Sequence, residues 1–311
     1  MLKEKRRIED FKNDVLFKFT LRDDQDPDCL YLLKLIIENI AGIECCSLKV
    51  QNPELNPQHV EDKDMILDVR VTNEKDEICD VEMQNSSLDQ EQYQRFQIYG
   101  ARLLVEQQKR GQDYVSNIHH VFQLIFIDDL DKDNLVLIDR YVSKNEEGHI
   151  EKYHLITRIY IYLPYINLLK KEKGLDKFNE LEIAIYIFKN GIDDDIMKTK
   201  KKVVEIMEKK VEKFNEDIIL QDMAFNRDLN RRARKAKEKR EHEEGLRIGK
   251  EEGRKETLKY NVVKLFMKMN PNHETDFLDH LSLEQYEKIF DLLLEEASLE
   301  DIYKIAQKKL D

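Results

Sequence analysis

The chain has 311 residues, with 52 Lys+Arg against 64 Asp+Glu and a net charge of −12. That length has room for about two domains. With 41% hydrophobic and 37% charged residues, only nine Gly and only five Pro, the composition excludes collagen-like, disordered and many-turned all-β chains. No apolar run approaches the roughly 18 residues that a membrane-spanning helix needs. The basic N-terminus has an apolar part interrupted by charges, so it does not read as a signal peptide. Cys29, Cys45, Cys46 and Cys79 lie in the first 80 residues without C-x-x-C spacing. A reduced, cytoplasmic protein is the expectation.

Residues 7–42 predict helix, with Phe11, Val15, Phe19 and then Leu32, Leu33, Leu35, Ile36 and Ile37 at helical spacing. The Asp26-Pro27-Asp28 step breaks the segment, Pro27 suits a first helical turn, and Gly42 offers a stop. A short strand is expected over 43–51 and a loop over 52–57.

The next stretch alternates. Over 65–72, MILDVRVT, the residues Met65, Leu67, Val69 and Val71 are expected on one face, and Ile66, Asp68, Arg70 and Thr72 on the other. Over 78–84, ICDVEMQ, the residues Cys79, Val81 and Met83 oppose Asp80, Glu82 and Gln84. The polar loop 73–77 has hairpin length. If the hairpin is symmetric about Lys75, paired positions sum to 150, so Arg70 faces Asp80 and Asp68 faces Glu82.

A helix is expected over about 90–110, with Gly111 as its stop, then strands over 118–128 and 152–163. Helix returns over 179–225. Strands alternating with helices and followed by helices predict an α/β core with a helical C-terminal extension. Residues 227–240, RDLNRRARKAKEKR, carry eight cations and two acids, a net +6, which leaves −18 for the remainder. Gly245, Gly249 and Gly253 recur every four residues in charged surroundings. Each costs about 1 kcal/mol against Ala in a helix, which predicts a weak, mobile helical linker. In the last 50 residues, Ser282 with Gln285 offers a capping box and Ser298 with Asp301 a looser one. The expected division is 1–225, 226–256 and 257–311.

The chemistry concentrates at the hairpin. Acids directly opposite on paired strands stand about 4.5–5.5 Å apart at Cβ, and their repulsion raises a pKa unless a cation neutralises them. Mg²⁺ is a hard ion that accepts one or two carboxylates and keeps waters. Asp68 and Glu82 could supply the carboxylates, and Gln84 could hold a water beside the ion. The plain alternative is a hairpin with one solvated, polar face.

Asp68, followed by Glu82-Met83-Gln84, resembles the D…(E/D)-x-K core of PD-(D/E)XK nucleases, with Gln84 in place of lysine. FKNDVLFK at 11–18, LKVQNPEL at 48–55, EDK at 61–63, ILDV at 66–69, VEMQ at 81–84 and the helix around Tyr93–Tyr99 resemble the recombination-promoting nuclease (Rpn) group, also labelled transposases of the PD-(D/E)XK family. The resemblance covers roughly 8–190, and more loosely the linker and tail. It implies a mixed sheet flanked by helices and a Mg²⁺- or Mn²⁺-dependent DNA endonuclease. Asp68 and Glu82 would be metal ligands, Asp14 on the first helix would be an outer contact, and Gln84 would orient water. Glutamine carries no charge, which puts catalytic strength in question. Arg95 and Tyr99, at i,i+4 on the following helix, could approach a phosphate or brace Glu82. Arg231, Arg232, Arg234 and Lys235 in the basic run could grip DNA phosphates.

Two functional classes follow. One is an endonuclease with DNA as partner and no membrane. The other is a catalytically weak nuclease-like fold that binds DNA or protein. In either class the C-terminal helices could mediate self-association.

Overall fold

The structure is a computed structural model that describes residues 7–55, 65–85, 88–111, 113–131 and 135–307. The family-like EDK at 61–63 and part of the expected loop at 52–57 fall outside that set. By contacts the chain divides into two compact units, Met1–Leu229 and Asn230–Asp311.

The first unit opens with α1 (Asp14–Leu21), where the Asn13 side chain accepts from the Val15 and Leu16 N–H groups. Then α2 (Pro27–Ala41) starts with Asp26 as cap and Pro27 in its first turn, and ends on Gly42 at φ +74°. A residue with a Cβ is disfavoured at that angle, so glycine stops the helix there. Strands β1 (Leu48–Val50), β2 (Glu54–Leu55), β3 (Met65–Ile66), β4 (Val69–Asn73) and β5 (Ile78–Gln84) follow. After α3 (Gln90–Val105) and the short α4 (Tyr114–Asn117) come β6 (Val121–Ile127), β7 (Ile138–Tyr141) and β8 (Ile156–Tyr162). Helices α5 (Tyr165–Lys173), α6 (Glu180–Asn190), α7 (Asp194–Met197) and α8 (Lys202–Glu216) complete the layer, and α9 (Ile218–Met269) begins in this unit.

Six strands form one mixed sheet in the order β1-β4-β5-β6-β8-β7. β5, β6 and β8 are parallel and the outer pairings antiparallel. One face, with Val69, Val71, Cys79, Val81, Leu124, Phe126, Ile159 and Ile161, joins the main core, which includes buried residues of α1, α2, α6 and α8. On the other face Phe96 of α3 packs with Ile125, Ile127, Tyr160 and Tyr162, and Leu103 with Ile78 and Val121. The expected architecture, a mixed sheet between helices, is therefore present.

Three local expectations are corrected, and one strand, β7, was not expected. Residues 54–55 are not loop, because Glu54 and Leu55 pair with Ile66 and Met65. The alternating run 65–72 is not one strand. It breaks at Leu67-Asp68, where the Leu67 N–H donates to the Pro53 carbonyl. The break turns Leu67 into the Leu103 cluster, away from Val69 and Val71. The helix after the hairpin ends at Val105 and not near Gly111. Strand β7 had no signal beyond a short apolar run.

In the second unit α9 continues, followed by α10 (Leu283–Leu294) and α11 (Leu299–Gln307). The segment expected as a helical linker is helical, since α9 is one unbroken helix through Gly245, Gly249 and Gly253. Ion pairs one turn apart offset part of the glycine cost, namely Lys237–Glu241, Lys239–Glu243 and Arg247–Glu251. Val262 and Phe266 pack with Leu278, Tyr286, Ile289, Leu293 and Ile302 into a separate core. Both halves of the Ser282–Gln285 capping box form, and Asp301 bonds to Ser298. The apolar faces of α10 and α11 close on this core, so their amphipathic pattern by itself calls for no second copy.

Candidate functional site

The hairpin forms in the expected register, with Val69 opposite Val81 and Arg70 opposite Asp80. Asp68 sits one residue before β4, level with Glu82 and Met83. There the backbone and the two acids interlock. The Asp68 N–H donates to Glu82 Oε1 at 2.9 Å, and the Met83 N–H donates to Asp68 Oδ2 at 2.9 Å. Backbone donors thus fix one oxygen of each carboxylate. The strand break at Leu67-Asp68 makes this possible, because it frees the Asp68 N–H from a ladder bond.

The polar face of β5 is not solvated. Asp80, Glu82 and Gln84 are 0%, 5% and 7% exposed, beneath α3. A hairpin with one wet side is therefore the wrong description. Burial raises the Glu82 carboxyl well above the ordinary range, and the charges of Asp68 and Asp80 add to the rise. Asp80 is lifted to about 7, again chiefly by burial. Its Oδ2 accepts from Gln123 Nε2 at 3.3 Å, and Gln123 Oε1 in turn accepts from Arg158 Nε at 3.1 Å. Asp80 Oδ1 meets no N–H or hydroxyl donor among the described residues. Its acid neighbour Glu82 lies within hydrogen-bonding reach when one of the two carries a proton. Arg70 does not neutralise the acids fully, since its guanidinium pairs with Glu106 at 3.1 Å. Asp80, Gln123 and Arg158 were not singled out from the sequence. Asp80 lay on the polar face of the hairpin, whereas Gln123 sits inside an apolar strand where only its being polar gave a signal.

Arg95 Nη2 donates to Gln84 Oε1 at 2.8 Å. Its hydrogen bond therefore braces Gln84, while its charge favours the ionised form of Glu82. The Arg95 guanidinium lies over the rings of Phe96 and Tyr99, 5.2 and 5.6 Å from their centroids. Tyr99 thus joins the site through Arg95, and burial raises its hydroxyl pKa. Asp14 does not touch the hairpin acids. Its Oδ2 is 3.9 Å from Lys18 Nζ and 3.6 Å from Arg227 Nε. The Lys18 ammonium, not singled out beforehand, stands 2.9 Å from Asp68 Oδ1. The helical spacing of Asp14 and Lys18 was legible, but the meeting with Asp68 was not. Arg231, Arg232, Arg234 and Lys235 lie on α9 beyond Leu229, in the second unit.

Asp68 and Glu82 are hard oxygen donors crowded with negative charge, the donor set suited to a divalent cation such as Mg²⁺, which takes one or two carboxylates and completes its shell with water. No group of three His, Cys, Asp or Glu poised for a metal occurs among the described residues.

A family model described as PD-(D/E)XK nuclease family transposase matches residues 11–249. This chain belongs to that family. The match begins at Phe11 and runs past the hairpin, so it includes Asp14, Lys18, Asp68, Glu82, Gln84, Arg95 and Tyr99. It also extends beyond the nuclease-like core to the basic run of α9. No curated protein and no solved structure matches the chain. Among the described residues, no helix is long and apolar enough to cross a membrane.

Proposed function

We propose that this member of the PD-(D/E)XK nuclease family transposases is a metal-dependent DNA endonuclease that hydrolyses phosphodiester bonds, with mobile-element recombination as its setting. The observation that carries the reading is the interlock of Asp68 and Glu82. Each acid has one oxygen fixed by a backbone N–H, so the carboxylates are held together without side-chain reorganisation. They would hold Mg²⁺ or Mn²⁺. When bound, such an ion makes a water more acidic and offsets charge developing at phosphorus. Gln84, anchored by Arg95, would orient a water by its amide. In this reading residues 1–225 carry the chemistry, and the cations around Arg231, Arg232, Arg234 and Lys235 contact DNA phosphates. Cys29, Cys45, Cys46 and Cys79 are free thiols, in keeping with a reduced, cytoplasmic compartment.

The second reading, a nuclease-like fold that binds without cutting, draws support from Gln84, which brings no charge where the wider superfamily has lysine. Plasmid nicking separates the two. Wild type should nick supercoiled plasmid only with Mg²⁺ or Mn²⁺, and Asp68→Ala or Glu82→Ala should remove the activity. Nicking that survives chelator, or that is unchanged in Asp68→Ala, rejects the endonuclease.

A further inference from the structure

Phosphodiester hydrolysis gathers negative charge on the phosphoryl oxygens, and a fixed cation beside them lowers the barrier. Position 84 cannot provide it, being a neutral amide whose oxygen is taken by Arg95. Arg95 is occupied by that bond and by its aromatic neighbours, and Arg70 by Glu106. The cation that touches the hairpin acids comes from a different element. Lys18 reaches from α1 to Asp68 Oδ1, the oxygen left over once Met83 N–H has taken Oδ2.

Its placement is not that of a loose surface pair. Asn13, 2% exposed, caps α1 and also donates from its amide to the Ala224 carbonyl at 3.0 Å. Leu16 and Phe17 are fully buried on either side of the same turn, and Thr20 Oγ1 bonds back to the Leu16 carbonyl. The helix is therefore locked to the core, and the lysine stem starts from a fixed point. The side chain is 24% exposed, enough contact with solvent for a substrate to reach the ammonium. Four methylenes and three rotatable donors let the charge pass from Asp68 to a phosphate oxygen arriving at the same mouth.

We propose that Lys18 is a catalytic residue of this site, supplying from α1 the ammonium that Gln84 lacks. The proposal rests on the endonuclease reading above. It is tested by plasmid nicking and Mn²⁺ titration, followed by electron paramagnetic resonance, on full-length wild type, Lys18→Met, Lys18→Arg and Lys18→Met/Gln84→Lys. Thermal melting is run alongside. Lys18→Met should lose about 100-fold or more in cleavage, the size seen for removing one transition-state donor. It should still bind Mn²⁺ at least as tightly as wild type, because a competing cation has gone. Lys18→Arg should retain part of the activity, and placing an ammonium at 84 should restore about tenfold or more of what Lys18→Met lost.

Lys18→Met cutting within about threefold of wild type overturns the role of Lys18 and leaves the endonuclease standing. Loss of cleavage together with Mn²⁺ binding and melting temperature, unrelieved at position 84, makes Lys18 structural and also overturns it. A wild type that binds Mn²⁺ but never cuts overturns the endonuclease reading, and the proposal with it.

Discussion

Gly100 lies in α3 against the fully buried Gln123 of β6. A Cβ built on Gly100 falls 2.9 Å from Gln123 Cδ, closer than side chains tolerate. The amide could swing aside if it were free, but both its ends are engaged, by Asp80 and by Arg158. Gly100→Ala therefore sets two effects against each other. Helix propensity favours alanine by about 1 kcal/mol. Against it stand overpacking, about 1–3 kcal/mol, and a buried hydrogen bond left unmade, about 1–3 kcal/mol. The net is a destabilisation of about 3 kcal/mol, or roughly 6–12 °C in melting temperature for a unit of this size. Urea unfolding followed by circular dichroism measures it. The double variant Gly100→Ala/Gln123→Ala should recover part of the Gly100→Ala loss relative to Gln123→Ala alone, since the clash has lost its partner. If Gly100→Ala is as stable as wild type, Gln123 is not held between Asp80 and Arg158, and the buried polar row beneath α3 is misdescribed.

Asp80 and Glu82 have carboxyl groups raised above their unfolded values. Between about pH 4 and 7 the folded protein then keeps protons that the unfolded chain, with carboxyl pKa values near 4, has released. These two groups therefore lower stability as pH rises through that window, whereas His120, whose pKa burial lowers, acts the other way toward its upper end. Asp24 and Asp26, whose pKa values are lowered, act at more acidic pH and do not oppose the trend. Between pH 5 and 7 in divalent-free buffer, the urea midpoint of Asp80→Asn should fall less, or rise more, than that of wild type; identical slopes in the two proteins contradict the burial argument. Lys210, 1% exposed, bonds to Asp26 Oδ2 at 2.8 Å and to Cys29 Sγ at 2.7 Å, tying α8 to the start of α2. Lys210→Met keeps most of the packing but strips Asp26 of its main partner. Because Asp26 is partly exposed, the loss is discounted to about 2 kcal/mol, read as a lower denaturation midpoint, and an unchanged midpoint would mean the ion pair contributes nothing.

Much of the hairpin was legible because strand alternation is a local rule. A period of two, a five-residue polar loop and a symmetric centre at Lys75 place Arg70 opposite Asp80 and Asp68 level with Glu82. The Gly42 stop, the Pro27 start and the Ser282 cap were readable for the same reason, since each depends on backbone geometry within a few residues. Whether the polar side of β5 meets water was not local. It depends on α3 folding over it between β5 and β6, which turned Glu82 from a surface acid into a buried one with a raised pKa. The break at Leu67-Asp68 depends on the Pro53 carbonyl, which lies outside the strand's own alternation.

Lys18 marks the division most clearly. Its place one turn after Asp14 was written in the sequence, but its contact with Asp68 crosses fifty residues of chain. The amino-acid order determined which acids and amides share a strand face and in what register, because neighbours on a strand are bound by its pleat. Only the packing of α1 and α3 around the sheet decided which of them are buried and where the cations that face them come from, because those contacts join segments that no local periodicity connects.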